Sequence, residues 1–170
     1  MRKPSRRAFL AATAMGTAAC RRDTTTRLIL TPQEARTLDA ICDQFIPADQ
    51  DPGASAAGAV VFIDRQLIGP YKRYQRAYRD GLAAADDLSG EEFGKPLGEL
   101  PADRRRVIVE RLEKQARPFF EMVLAHTMQS YYGSPRHGGN RDYASWRMLR
   151  VPSSPVRGRI SYDLRSPRES

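Results

Sequence analysis

Few residues in this chain have the chemistry to do work: His126 and His137, Cys20 and Cys42, and the segment YYGSPRHGGNRDYASW from Tyr131 to Trp146. In that segment Gly133, Gly138 and Gly139 allow positive backbone dihedrals and close backbone approach, Pro135 sets a turn, and Asn140 can bond neighbouring backbone through its amide. A stretch of this composition makes a rigid, shaped loop. Tyr131, Tyr132 and Trp146 flank it with aromatic bodies and polar tips, the residue types that anchor protein interfaces. Two readings follow. In one the loop is a recognition surface with Tyr131, Tyr132, Pro135, His137, Gly138, Gly139, Asn140 and Trp146 as contact residues; in the other it closes the last helix onto the domain.

Catalysis needs groups that can be gathered and tuned, and the motifs that do so do not occur. There is no Cys-x-x-Cys-His for covalent haem, no His-Glu-x-x-His for zinc, no phosphate-cradling glycine loop and no Gly-x-Ser-x-Gly elbow. No catalytic, cofactor-binding or metal-ligating residue is therefore assigned. His126 falls near Phe119 and Phe120 and reads as a satisfied, partly buried side chain. His137 lies in the loop with no evident acid or thiol partner. Cys42, among Leu38, Ile41 and Phe45, reads as a core thiol, and Asp86-Asp87 and Glu91-Glu92 read as solvated helix ends.

The beginning of the chain reads as an address. A basic stretch contains Ser5-Arg6-Arg7-Ala8-Phe9-Leu10 and leads into an uncharged run through Ala19, too short to span a bilayer. Arg6, Arg7, Phe9 and Leu10 resemble the twin-arginine export signal, whose route accepts folded cargo; the alternative is a general secretory signal that contains Arg-Arg. Cys20 follows Thr17-Ala18-Ala19 and is a candidate lipidation site, with ordinary cleavage near the same point as the alternative. The formal charge of +8 falls to +4 without Arg2, Lys3, Arg6 and Arg7. Much of the remainder sits in a C-terminal tail whose arginines lack interleaved aromatic platforms, which argues against nucleic acid as a partner.

The elements that must position these residues are helical. Thr31, Pro32 and Glu34 spell a capping box, followed by Leu38, Ile41, Cys42 and Phe45 at helical spacing and a stop at Pro47. Further helices are expected over about residues 54–68 (Val60, Ile63, Leu67) and 71–88, where Tyr71, Tyr74, Tyr78 and Leu82 share a stripe. Another starts at Leu100-Pro101 (Val107, Ile108, Leu112), and a new one starts at Pro118 (Phe119, Phe120, Val123, Leu124, Thr127). No run alternates with period two. The expected fold is all-α: a compact bundle of four or five helices with a Gly-rich C-terminal loop and disordered termini. Its divisions are a signal segment 1–20, a linker 21–30, a helical domain 31–150 and a Ser/Pro/Arg-rich tail 151–170.

Taken in order, the twin-arginine leader, Pro47-Ala48-Asp49, Pro52-Gly53-Ala54, Phe62-Ile63-Asp64, Phe93-Gly94, Leu100-Pro101, Phe119-Phe120 and Tyr132 to Asn140 before Trp146 resemble the gluconate 2-dehydrogenase subunit 3 family. The resemblance covers roughly residues 28–152, and its Pro-x-x-Gly-Gly-Asn segment followed by Trp is the most specific part. Members typically carry an acidic residue before the loop proline and an aromatic after it; here Ser134 and His137 stand there, and Leu149-Arg150-Val151-Pro152-Ser153 replaces the usual Gly-x-Pro-Gly-like ending. The resemblance implies an accessory role without catalysis of its own. A flavoprotein large subunit of the glucose-methanol-choline oxidoreductase type would hold FAD and oxidise a sugar or polyol, and a multihaem cytochrome c subunit would take the electrons where present. The small subunit would supply the export signal for the flavoprotein and carry it through the twin-arginine translocase to the periplasm, at the membrane. The alternatives are a freestanding exported sugar-binding protein or enzyme using the Gly-Gly-Asn loop, and a lipid-anchored scaffold.

Overall fold

In the computed structural model, which describes residues 29–151, all regular structure is helical. Arg6, Arg7, Phe9, Leu10 and Cys20, and the tail from residue 152, lie outside the described residues. The first helix, α1 (Pro32–Phe45), begins as its sequence dictates. Thr31 Oγ1 accepts from Glu34 N at 3.2 Å and Glu34 Oε2 accepts from Thr31 N at 2.7 Å, closing the capping box. Such a cap contributes about 1 kcal/mol, whereas each fully buried Leu or Ile contributes about 1.5–3 kcal/mol. The inward stripe of Leu38, Ile41 and Cys42, all buried, is therefore what places α1.

Around α1 pack α2 (Ala59–Ile68), α3 (Gln75–Phe93), α4 (Ala102–Gln115) and α5 (Arg117–Tyr132), each in contact with it. A short α6 (Ala144–Met148) rests on the end of α5. The described residues thus hold five long helices and one short one, at the upper end of the expected count. Two starts differ from expectation. Residues 54–58 form turns, and α2 begins only after Gly58, whose left-handed backbone (φ 86°) changes the chain's direction. Likewise Lys72–Tyr74 form a 3₁₀ turn before α3, because the chain must reverse after Gly69-Pro70. There Gln75 Nε2 donates to Leu67 O at 2.8 Å and closes the end of α2. Pro118 does open a new helix, α5, after a break at Ala116 (φ −132°, ψ 43°).

Two carboxylates pin the bundle. Asp86, read above as a solvated helix end, sits in the middle of α3 and is half-buried. It accepts from Thr37 Oγ1 (2.8 Å) and Gln33 Nε2 (2.9 Å) on α1 and from Leu97 N (3.0 Å). One side chain thus ties α1, α3 and the turn before α4 together. Buried Asp64 on α2 accepts from Ile29 N (2.9 Å) and Leu30 N (3.0 Å), which holds Leu30 in the core although its position falls within the expected linker.

The crossing of α3 over α5 depends on Gly81. A methyl group there would come within 2.2 Å of the Phe119 ring, closer than atoms can approach. In a helix interior Ala would be favoured over Gly by about 1 kcal/mol, but forcing a ring out of a packed core costs about 1–3 kcal/mol. Gly81→Ala is expected to lower unfolding free energy by up to about 2 kcal/mol in urea titrations, opposite to the sign that helix propensity alone would give.

Candidate functional site

Every helix leaves its last carbonyls without intrahelical partners. At the end of α5 these oxygens belong to Tyr131 and Tyr132, with Gly133 next, and the strap of residues 133–151 supplies a side chain to each. Ser145 Oγ donates to Tyr131 O at 2.5 Å, Trp146 Nε1 donates to Tyr132 O at 3.0 Å, and Asn140 Nδ2 donates to Gly133 O at 2.9 Å. Asn140 Oδ1 also accepts from Ser145 N at 3.0 Å, so the amide of this fully buried residue is used at both ends. Gly139 lies so close to α5 that a Cβ would stand 2.3 Å from Ser130 Oγ. The strap is also tied to the loop after α1: Arg141 N donates to Ala57 O (2.9 Å), Tyr131 Oη donates to Pro52 O (2.7 Å), and Ala57, Tyr131 and Ala144 form a small core of their own.

Holding this course requires strain. Asn140, Asp142, Tyr143 and Arg150 adopt left-handed backbone (φ 44°, 54°, 56° and 56°), which Asn and Asp enter readily but which costs about 1–2 kcal/mol for the other two. What the strain achieves is display. Tyr132, Tyr143, Met148, Leu149 and Val151 are exposed, and half-buried Trp146 lies with its ring 5.7 Å from that of Tyr143.

The eight residues expected to form a contact surface divide accordingly. Tyr131, Gly139 and Asn140 are interior and build the loop; Tyr132 and His137 are exposed; Pro135, Gly138 and Trp146 are half-buried. The indole nitrogen of Trp146 is committed to Tyr132 O. His137 Nε2 accepts from Arg136 Nε at 3.0 Å at the surface. Sequence reasoning missed Tyr143, Met148, Leu149 and Val151. Their signal was present: four apolar residues in SWRMLRV and its approach, with no helix long enough to bury them.

A second assembly lies on the other face of α5. His126 is buried, its Nδ1 is 2.9 Å from Tyr78 Oη, and the Tyr71 ring stacks on it at 3.9 Å and 12°. Tyr71 Oη in turn donates to Gln129 Oε1. The tyrosine stripe thus points inward around a histidine. Burial, and after it the charge of Arg73, pushes the imidazole down from its ordinary 6.5 to about 4, so it is neutral. Burial likewise raises the Tyr78 hydroxyl well above its usual range and pushes the Cys42 thiol up to about 12. Cys42 Sγ lies 3.2 Å from Thr127 Oγ1 in the core. Among the described residues no helix is long and apolar enough to cross a membrane.

Comparison with known proteins adds one finding. The family model described as Gluconate 2-dehydrogenase subunit 3 matches residues 32–152, well over half of the chain and including every element described above except Ile29 to Thr31. No curated protein and no solved structure matches.

Two outcomes follow from the geometry. Asn140→Ala strands Gly133 O and Ser145 N together and is expected to cost about 2 kcal/mol or more in urea unfolding, whereas Tyr132→Ala, at an exposed ring, is expected to cost well under half of that. The second is a pH dependence. The folded-state pKa of His126 lies below its unfolded value, so the unfolded chain takes up the proton first. Its contribution is complete above pH 6.5 and is lost as pH falls toward about 4. The loss is roughly 3 kcal/mol. In His126→Gln, which keeps an acceptor for Tyr78, that part of the decline between pH 7 and pH 4.5 is expected to vanish relative to the parent protein.

Proposed function

The chain belongs to the gluconate 2-dehydrogenase subunit 3 family, a subunit of a dehydrogenase complex, and we propose that it is the noncatalytic small subunit and export escort of a periplasmic, membrane-associated flavoprotein. The observation that carries the reading is the strap face. A strained, internally bonded loop holds Tyr132, Tyr143, Trp146, Met148 and Leu149 at the surface on a rigid support. Rigid aromatic and aliphatic anchors are what an interface needs, because little entropy is lost on binding.

The chain's own reactive groups support the noncatalytic part. His126 is buried and neutral, and Cys42 is a core thiol whose pKa of about 12 leaves almost no thiolate. The rival reading, a sugar site in the Gly-Gly-Asn loop, loses its best hydrogen-bonding group, since the Asn140 amide is spent inside the strap.

In this reading FAD sits on a large subunit of the glucose-methanol-choline oxidoreductase type, and a multihaem cytochrome c accepts its electrons. Flavin insertion in the cytoplasm requires a route that carries folded cargo. Arg6, Arg7, Phe9 and Leu10 supply the signal for both chains, and Cys20 or the complex itself supplies the membrane attachment. The test is Arg6→Lys with Arg7→Lys, followed by fractionation and blotting for both subunits. Both are expected to accumulate in the cytoplasm; a normal periplasmic level of the flavoprotein would overturn the escort role.

A further inference from the structure

One hydrogen bond in the core joins an acid to a base. Tyr78 is fully buried, and its Oη lies 2.9 Å from Nδ1 of His126, itself 5% exposed. Among the described residues this is the one hydrogen bond that the Tyr78 hydroxyl makes. Were the imidazole the donor, the phenol proton would be left unpaired in an apolar core, so the phenol donates and Nδ1 accepts. The other described tyrosines are placed differently. Tyr131 donates to the carbonyl of Pro52 and Tyr71 to the amide oxygen of Gln129, acceptors too weakly basic to keep a proton, while Tyr74 Oη accepts from Arg73. Tyr132 and Tyr143 are exposed to solvent. Tyr78 alone among them hydrogen-bonds a ring nitrogen that can receive its proton.

The pair also has a path to the surface. The Tyr71 ring covers a face of the imidazole at 3.9 Å and 12°, and the Tyr78 ring lies 5.9 Å from it at 13°. Tyr71 is half-buried, so this run of near-parallel rings leads from the core toward solvent. Tyr74 adds a further ring, 5.2 Å from the imidazole. At 2.9 Å the phenol proton is within transfer distance of Nδ1. Burial, and after it the charge of Arg73, holds the imidazole pKa at about 4, so Nδ1 is free of a proton at rest. Loss of an electron turns a phenol from a weak acid into one far stronger than an imidazolium. The proton therefore crosses when the electron leaves, and not before.

We propose that Tyr78 and His126 form a redox-active pair, in which Tyr78 is reversibly oxidised by one electron while its proton moves to His126 Nδ1. An outer-sphere, one-electron oxidant at the surface takes the electron by way of the Tyr71 ring. The O–H bond of Tyr78 breaks, an N–H bond forms at Nδ1, and a neutral phenoxyl radical is left beside an imidazolium. The oxidant gains one electron, and no proton leaves the protein. Return of an electron from a small reductant of the ascorbate class sends the proton back to Oη and restores the resting state. Exposed tyrosines oxidised in this way couple to other molecules; the Tyr78 radical is out of their reach in the core. This activity goes beyond the subunit reading and does not depend on it.

The test is flash oxidation of the purified, full-length protein by photogenerated tris(bipyridine)ruthenium(III), followed by transient absorption and freeze-quench electron paramagnetic resonance of tyrosyl radicals. The parent is expected to give a fast-decaying component from exposed tyrosines and a second component that lives at least tenfold longer. Tyr78→Phe is expected to remove the long-lived component. His126→Gln, whose amide accepts the hydrogen bond but cannot keep the proton, is expected to lower its yield at least tenfold. Tyr71→Leu is expected to slow its appearance severalfold, while Tyr132→Phe, at an exposed ring, is expected to leave it unchanged. Helical circular dichroism and melting temperature check that each variant is folded. One measurement needs no substitution: with isotopically labelled histidine, the parent's long-lived radical is expected to show magnetic coupling to an imidazole nitrogen across the hydrogen bond. A long-lived radical that persists in folded Tyr78→Phe, or that lacks this coupling, overturns the assignment, and so does its absence from the parent. Unslowed appearance in Tyr71→Leu overturns the route through that ring.

Discussion

The end of α5 imposes the constraint on which the C-terminal third of the molecule depends. Three consecutive carbonyl oxygens, of Tyr131, Tyr132 and Gly133, emerge where the helical ladder stops; that of Tyr131 is buried, and leaving it unpaired would cost about 1–3 kcal/mol. Ser145, Trp146 and Asn140 meet them in turn. To bring side chains from 7 to 14 residues downstream back onto one helix end, the chain must fold tightly, which is why Gly139 touches Ser130 and why Asn140, Asp142 and Tyr143 take left-handed backbone. The loop's composition is therefore first a capping device. Its capacity for recognition is a consequence, because the same turns that deliver the caps leave Tyr143 and the 148–151 apolar residues facing outward.

Beneath the strap, the bundle is positioned by burial and aligned by a few polar pins. Hydrophobic burial around α1 supplies most of the stabilisation but has little directional preference, since apolar faces slide and rotate at small cost. Asp86 and Asp64 remove that freedom, the first by accepting from α1 and the turn before α4, the second by fastening Ile29 and Leu30 to α2. The Tyr78–His126 hydrogen bond does the same for α3 against α5, at a crossing close enough to require Gly81. Registration of these two helices is thus fixed by one buried hydrogen bond.

A subunit proposed to work by contact needs different physics from an enzyme. An enzyme holds reactive groups near their titration points; here the imidazole is driven well below neutrality and the thiol well above it, so neither changes charge near pH 7. What the molecule offers is shape, together with uncharged donors and apolar area on a fixed frame. Such a surface binds without a large ordering cost, which fits the proposed role.

Local signals were enough for much of this. The capping box at Thr31, the inward stripe of α1, the break at Pro118 and the all-helical class could be read directly, because caps, periodicity and proline act over a few residues. The loop was recognisable as a shaped segment from its glycines, Pro135 and Asn140, and its order of residues carried the family resemblance. Tertiary structure decided everything that depended on which residues end up facing one another. Asp86 looked solvated because its partners Thr37 and Gln33 are 49 and 53 residues away. Asn140 and Trp146 looked equally available for a partner, since nothing local distinguishes an amide that caps a helix end from one that meets another protein. The same holds for His126, which meets a tyrosine 48 residues distant and is kept neutral by burial under helices that reach it only once the chain has folded. Sequence patterns of short range determine elements; hydrogen bonds and burial across long sequence separation determine which side chains remain free to act.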